Sequence, residues 1–263
     1  MFVAADGARK HKSEEAEICQ RVRDIIKQVD WNCELKTLFR EENLGCKMAV
    51  SSAITWFFEY VEQGIILEDD CLPDPSFFLY CEELLNKYKY DTRIGHISGS
   101  NSLSSIIKDG LSYDFCSSSH IWGWATWRRV WKNYDLNFTF WKEQKNKRSF
   151  LFCNKWEEIY FSSFISDVIN SHNGINTWDT QYFFTLRLQN QLAICPAVNL
   201  ISNIGLGDLN ATHTSKKKKA SLSTAIFFPL IHPHYILRNK KLDKKSRPFS
   251  WKRLIRYLLK LYQ

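Results

Sequence analysis

The sequence lacks several features that define common protein classes. Its 263 residues include eight cysteines, but none of them form a Cys-x-x-Cys pair or the spacing of a zinc site. No apolar run approaches the roughly 20 residues needed to cross a bilayer, and no signal-peptide pattern opens the chain. These absences argue against a zinc module, a membrane-spanning protein and a secreted disulfide scaffold. We therefore expect reduced thiols in a cytoplasmic protein.

Charge is distributed unevenly along the chain. The formal net charge is +8, yet residues 216–263 hold 14 of the 36 basic residues and a single acid, Asp243. That segment carries +13, and the rest of the chain carries −5. The shift in composition begins at the four lysines Lys216–Lys219. It predicts a domain of residues 1–215 followed by a basic C-terminal extension of residues 216–263.

The most informative stretch reads GIILEDDCLPDP, from Gly64 to Pro75. Its apolar beginning predicts a buried strand of a parallel sheet, and three carboxylates follow where that strand leaves the core. Like charges this close repel one another unless a cation neutralises them, and carboxylate oxygens favour Mg²⁺ or Mn²⁺. Ligands of open α/β sheets bind at the carboxyl ends of strands. The pattern indicates a ligand or metal site, and the alternative is an acidic, solvated turn.

A helix is predicted directly after the acidic residues. Asp74 suits the N-cap, Pro75 suits the first helical position, and apolar residues recur at helical spacing as far as Tyr88. The run GIILEDDCLPDPSFFLYCEELLNKY resembles the GT-A glycosyltransferases, and in particular a bacterial, hemolytic-protein-like family of nucleotide-diphospho-sugar transferases. It is also similar to the Golgi N-acetylglucosaminyltransferase I, which carries an EDD version of the metal-binding DxD motif.

The resemblance covers nearly all of residues 1–214 and implies a Rossmann-like α/β fold with a mostly parallel sheet and flanking helices. In that family an earlier strand and helix, with a Tyr-x-Arg-Pro-like loop that helps to hold the nucleotide, precede the strand that begins here at Phe2. We therefore expect a GT-A domain that lacks the usual first strand–helix unit and is followed by a basic helical extension.

The resemblance also implies a site for the nucleotide sugar. The residues in contact with it would be Asp6, Gly7 and Arg9 beside the base or ribose, and Asn43, Gly45 and Lys47 near the diphosphate. A lysine provides a point charge for phosphate. From the residues alone, two alternatives stay open: an ordinary Asp-Gly turn, and a helix-starting turn with an incidental lysine.

The implied metal is Mn²⁺ or Mg²⁺. By the resemblance Asp70 would hold it, with Glu68 and Asp69 supporting the metal and the donor. A Gly-rich loop after Asn199 is similar to the lid that closes over the donor in many GT-A folds, and His213 would reach the metal or the diphosphate from it. A loop histidine with neither role is the alternative.

Two further segments concern the acceptor. Trp122, Gly123 and Trp124 belong to a Trp-rich run that lines the acceptor and sugar side of the cleft in the resembling families, although such residues also pack in cores. Inverting GT-A enzymes place a general base at the start of a late helix, and this implies Asp179 as the base. The match leaves a one-residue ambiguity with Thr180, and Asp179 could otherwise be an N-cap.

The extension ends in a predicted amphipathic helix. Six apolar residues fall on one face of it, namely Trp251, Leu254, Ile255, Leu258, Leu259 and Tyr262. Basic residues opposite this face predict binding to an anionic membrane surface, and the alternative is a helix packed on the body. Binding to nucleic acid is disfavoured because no nucleic-acid-binding fold accompanies the charge.

The sequence therefore predicts a metal-dependent, inverting glycosyltransferase at the inner face of the membrane. Its donor would be a nucleotide-diphosphate sugar, and its acceptor a saccharide or a lipid-linked glycan. Two other classes stay open. One is a non-catalytic sugar-nucleotide binder that lacks the first strand–helix unit of the family. The other is a polybasic membrane or nucleic-acid interaction protein with an α/β scaffold.

Overall fold

A computed structural model gives the fold. It describes residues 1–12, 14–101, 106–107, 110–144, 151–152, 155–170, 176–206 and 221–246, together with Ile255 and Leu259. Helices and short strands alternate along this part of the chain, which confirms the predicted α/β class. Seven of the eight cysteines lie in the described residues, and all seven carry free thiols. No helix in the described part of the chain is long and apolar enough to span a membrane.

The helices lie between the strands in sequence, and most are short. Their bounds are α1 (Glu15–Asp24), α2 (Gly45–Tyr60), α3 (Ser76–Lys87), α4 (Arg128–Trp131), α5 (Thr139–Glu143), α6 (Lys155–Asn170), α7 (Asp179–Leu188) and α8 (Lys240–Ser246). A short 3₁₀ turn, Ile25–Gln28, continues α1.

The strands of the described residues form three separate sheets. Their bounds are β1 (Phe2–Ala5), β2 (Lys36–Phe39), β3 (Gln63–Ile66), β4 (Cys71–Pro73), β5 (Ile94–Ser98), β6 (Tyr113–Cys116), β7 (Trp124–Trp127), β8 (Leu192–Pro196) and β9 (Ile201–Asn203). The pairs β1–β2 and β4–β9 form two-stranded sheets, and the other five strands form the central sheet.

The central sheet corrects the prediction of a mostly parallel sheet. Its strand order is β3-β7-β5-β8-β6, and among the described strands of this sheet only β5 and β8 pair in parallel. The β3–β7, β5–β7 and β6–β8 pairs are antiparallel. The reason is that β7 inserts between β3 and β5 against their direction, and β6 returns along the outer edge of β8.

The main core lies against the middle of this sheet. Every residue of β5 and β7 is buried, and α3 covers the sheet with Phe77, Tyr80 and Leu84, all of which are fully inaccessible. Trp124 is likewise 0% exposed and lies at the centre of an aromatic group contributed by β7, α4 and α7. Burying large aromatic side chains is a strong source of folding free energy.

The N-terminal unit, residues 1–40, is packed much more loosely. β1 and β2 pair in parallel, and Phe2 contacts the rings of Trp56 and Phe57 on α2. The helix α1 buries no residue, and its apolar residues Ile18 and Val22 are more than half exposed. This unit therefore contributes little to the core.

Residues 221–246, which we call the strap, correct the predicted domain boundary at residue 215. Ile226, Leu230 and Leu242 of the strap are buried against the body. Backbone hydrogen bonds fix it, from Ile231 N to Ser112 Oγ at 2.8 Å and from Asn239 N to the Phe115 carbonyl at 2.8 Å. The strap runs along the β6 edge of the sheet, and an uncovered edge would favour aggregation. The strap therefore belongs to the domain.

Candidate functional site

The acidic residues follow β3, as the sequence predicts. Glu68 and Asp70 are partly buried, whereas Asp69 is exposed. Burial raises the pKa of Glu68 to about 7, and the nearby charges of Asp70, Asp69 and Asp179 raise it further, although a hydrogen bond from the Trp178 side chain opposes them. Glu68 thus lies in a region where negative charges from two distant parts of the chain meet.

Asp70 is fixed by the β4–β9 sheet. Its Oδ2 accepts a hydrogen bond from Asn203 Nδ2 at 2.9 Å, and its carbonyl accepts one from Ile204 N at 2.8 Å. A Cβ added at Gly205 would lie 2.8 Å from Asp70 Oδ2, so a side chain there would crowd the carboxylate. Asn203 Oδ1 is buried and, in the described structure, accepts no hydrogen bond. A buried acceptor without a protein partner can be satisfied by a water molecule or by a ligand.

These atoms bear on the predicted metal. In the part of the chain that the structure describes, no three His, Cys, Asp or Glu side chains converge on a point that could hold a metal ion, and His213 lies outside that part. A closed protein cage is therefore not formed by the described residues. Mg²⁺ is usually bound by only one or two carboxylates together with substrate phosphates. The Asp70 carboxylate and the unused Asn203 oxygen fit that second kind of site.

Asp179 is the first residue of α7, and Trp178 is its N-cap. The hydrogen bonds that Asp179 accepts in the described structure fall on Oδ1, from Thr180 N at 2.7 Å and from the Thr177 hydroxyl. Thr180 is buried, and its hydroxyl also faces Asp179 Oδ1. The bonds fix the carboxylate on the first turn and leave Oδ2 as the oxygen that can meet a ligand.

A cavity of about 240 Å³ opens beside Asp179. Its lining combines hydroxyl groups, aromatic rings and one carboxylate, from Ser118, Ser119, His120, Ile121, Tyr160, Phe161, Phe164, Asp179, Thr180 and Phe183. Apolar and aromatic walls with a few polar groups are typical of small-molecule sites. The aromatic residues of α6 in this wall were not predicted, since that stretch shows no recognisable motif.

The start of α2 lies within electrostatic reach of Glu68, Asp179 and Asp6. Burial raises the pKa of the Cys46 thiol to about 11, and the charges of Glu68, Asp179 and Asp6 contribute in that order. The structure therefore brings three predicted site residues from separate elements within electrostatic reach of one position.

Asp6 has a structural role at this point. Its carboxylate accepts hydrogen bonds from Leu44 N at 2.9 Å, Gly45 N at 3.0 Å and Asn43 Nδ2 at 3.0 Å. It thus occupies the N-terminus of α2, a position where helices bind anions. Gly7 is required beside it, because an added Cβ would lie 2.4 Å from the Glu42 backbone.

The two predicted basic residues of the donor site have different surroundings. Arg9 is exposed and forms an ion pair with Glu15. Lys47 donates its backbone N–H to Asn176 Oδ1 at 2.8 Å. Asn176 also limits Gly45, where φ is +73° and an added Cβ would lie 2.6 Å from Asn176 Nδ2. Asn176 therefore joins the start of α2 to the segment that leads into α7, a role that was not predicted.

The Trp-rich segment differs from its expected role. Trp124 is fully buried and stacks between His96 at 5.3 Å and Trp178 at 5.6 Å, so the prediction that its ring contacts a sugar is wrong. Trp122 is partly buried and packs against the main core. At Gly123, φ is +60° and an added Cβ would lie 2.4 Å from Ile201, which explains the glycine by packing against β9.

Comparisons with known proteins add no relative. No protein-family model matches the chain, and no curated protein matches it. The likeness to GT-A glycosyltransferases is therefore a prediction from the motif residues, and the argument for function is made from the geometry of this site.

Proposed function

We propose that this protein is a glycosyltransferase that moves a sugar from a nucleotide-diphosphate donor to the hydroxyl of a saccharide or lipid-linked acceptor, with inversion. Two observations carry the proposal: the charges of Asp70 and Asp179 both raise the pKa of Glu68, and Asp179 lines a small aromatic-walled cavity. Carboxylates that are gathered despite their repulsion mark candidate functional sites.

The donor would bind at the acidic motif. The Asp70 carboxylate and Asn203 Oδ1 would hold Mn²⁺ or Mg²⁺, which would neutralise charge on the departing diphosphate. Asn203 Nδ2 keeps Asp70 oriented, and the lack of a side chain at Gly205 leaves room beside the carboxylate. Glu68, whose pKa is raised in part by the charge of Asp70, would also favour a cation at this position.

Asp179 would act as the general base. Thr177 and the Thr180 backbone hold its Oδ1, so Oδ2 would accept the proton of the attacking hydroxyl. Its position on the first turn of α7 stabilises the negative charge through the helix dipole. The aromatic wall of the cavity suits the C–H faces of a sugar ring. At about 240 Å³ the cavity is smaller than the roughly 300–1,000 Å³ of drug-sized sites, which suits one ring.

The test is a screen of UDP-, GDP- and dTDP-sugars for Mn²⁺-dependent hydrolysis and transfer, followed by two variants. Asp179→Asn should lower turnover by about 10²–10⁴-fold, because the general base is lost, while donor affinity measured by calorimetry stays nearly constant. Asp70→Asn should abolish Mn²⁺-dependent donor binding, because an amide does not neutralise the cation. Asp30→Asn, at an exposed carboxylate, is the matched control.

Three results would contradict parts of this proposal. Donor binding without turnover for any acceptor would indicate a non-catalytic sugar-nucleotide binder. Full turnover in Asp179→Asn combined with loss of turnover in Thr180→Ala would assign the essential position to Thr180 instead of Asp179. Unchanged Mn²⁺-dependent affinity in Asp70→Asn would remove the metal from the acidic motif.

A further inference from the structure

The outer side of the strap presents apolar side chains to solvent. Residues 235–238 of the strap alternate between its outer side and the side that faces the body. Ile236 packs on the main core and Arg238 turns inward, whereas Tyr235 is 67% exposed and Leu237 is 68% exposed. The inner residues are fixed by the body, so the outer residues are held in a defined position at the surface.

The helix α8 continues the strap and separates its side chains in the same way. Leu242 and Asp243 are buried, at 1% and 8% exposure. Four lysines are exposed on the other side, namely Lys240, Lys241, Lys244 and Lys245. We call these lysines together with Tyr235 and Leu237 the strap patch.

The strap has no exposed acid that would neutralise the positive charge of the strap patch. Asp243 is the only acid in residues 216–263, and its carboxylate faces inward. Its Oδ2 accepts a hydrogen bond from Arg238 Nε, and its Oδ1 accepts one from Ser117 N at 2.7 Å. The acid is therefore used to dock α8 on the body, and the exposed charged side chains of α8 are all lysines.

Apolar and basic residues of the strap patch lie close together. Leu237 and Lys240 are three positions apart, and at most about 3.6 Å per residue separates them by no more than roughly 11 Å. Beyond α8, Ile255 and Leu259 are helical and 54% and 62% exposed, so the predicted apolar helix face is open to solvent at the two positions that the structure describes.

We propose that the strap patch docks the protein on an anionic lipid surface. A tyrosine and a leucine beside a row of lysines match the chemistry of the interface, because the apolar groups enter the headgroup region and the lysines attract anionic lipids. Nucleic acid fits less well. Arginine is the residue best suited to forked phosphate contacts, and Arg238, the arginine of the strap, is turned inward to Asp243.

The strap patch lies within residues 216–263, for which the sequence also predicts binding to an anionic membrane surface. The sequence places membrane binding in a separate extension, whereas the strap patch is fixed to the body. A fixed patch orients the whole domain on the surface, and this orientation would present the protein to a lipid-linked molecule from one side only.

The test measures co-sedimentation of the full-length protein with vesicles of phosphatidylcholine that contain or lack 30% phosphatidylserine. Replacement of the four lysines by Gln should weaken binding to the anionic vesicles by more than 10²-fold, since each lysine near such a surface contributes about fivefold. Tyr235→Ala with Leu237→Ala should weaken it about tenfold or more and should remove the part that persists in high salt.

The controls use exposed residues elsewhere on the protein. Tyr90→Ala removes an aromatic side chain that is 85% exposed, and Lys10→Gln removes a lysine whose side chain is 80% exposed. Neither should change vesicle binding. Equal binding to neutral and anionic vesicles, or wild-type binding by both strap variants, would overturn the proposal. Tight binding of an oligonucleotide that needs the lysines and ignores Tyr235 and Leu237 would assign the patch to nucleic acid instead.

Discussion

The two sides of the candidate site use their carboxylates in opposite ways. On the N-terminal side, Asp6 accepts hydrogen bonds from two backbone N–H groups and an amide at the start of α2, and Arg9 is neutralised by Glu15. On the other side, Glu68 is partly buried beside Asp70 and within reach of Asp179, and its pKa is raised.

This difference separates the carboxylates that stabilise the folded state from those that destabilise it. A carboxylate whose partners lie within the protein stabilises the folded state. A carboxylate that is buried among others destabilises it, and such groups persist at sites where a ligand relieves the repulsion. The N-terminal side is therefore structural in this fold, and the acidic side has the character of a ligand site.

The largest expected effect compares two tryptophans. Trp124 stacks beneath Trp178 on the acidic side, whereas Trp31 of the N-terminal unit is 57% exposed. Trp124→Ala should lower the free energy of unfolding by about 3–5 kcal/mol because it empties a packed position. Trp31→Ala should stay within about 0.5 kcal/mol. Urea unfolding measures both, and similar losses would mean that the N-terminal unit is as integrated as the sheet.

The second-largest effect is the change in folding stability with pH that Glu68 causes. The pKa of Glu68 is about 7 in the folded protein against an ordinary 4.5, so the folded state holds the proton more tightly and stability falls as pH rises between these values. Glu68→Gln should abolish this fall. In metal-free buffer the variant should match the wild type at pH 4 and exceed it at pH 8 by up to about 3 kcal/mol. A destabilised variant at pH 8 would make Glu68 structural.

The smallest effect has the opposite sign on the other side. Asp6→Ala should lower the free energy of unfolding by about 1–2 kcal/mol, because α2 loses the carboxylate that caps its first turn. Asp6→Asn should recover part of this loss, since its amide oxygen still accepts a hydrogen bond. Thermal unfolding distinguishes the three proteins. A gain in stability on removal of Asp6 would contradict this contrast, because Asp6 would then destabilise the fold as Glu68 does.

Much of the local structure could be predicted from the sequence. The strand before the acids, the helix after Pro75 and the helix that begins at Asp179 lie where they are predicted, within a residue or two at their ends. The prediction that this strand is buried in a parallel sheet is wrong, because β3 is a partly exposed edge strand that pairs antiparallel with β7. Each of the three elements has a local cause, either a change of hydrophobic period or a residue that starts a helix.

The remaining features depend on distant contacts. Tryptophan and glycine suit both sugar contact and core packing, so the residues of β7 alone leave both roles open. The insertion of β7 between β3 and β5 determines that its side chains are buried. The basic composition of residues 216–263 predicts a separate extension, although Ile226 and Leu230 of the strap pack into the core. The sequence does not indicate the contact of Asn203 with Asp70, because that contact depends on the pairing of β4 with β9.

The hydrogen bond between Lys47 N and Asn176 Oδ1 has a consequence for synthesis, because 129 positions separate its two residues. At about 5–20 residues per second, the partner of α2 leaves the ribosome roughly 6–26 s after α2 itself. The central strand β5 also waits, since both its neighbours, β7 and β8, are made later. A nascent chain therefore carries an unfinished sheet for most of its translation, and a chaperone that shields the β3 and β5 edges during that interval should raise the yield of native protein.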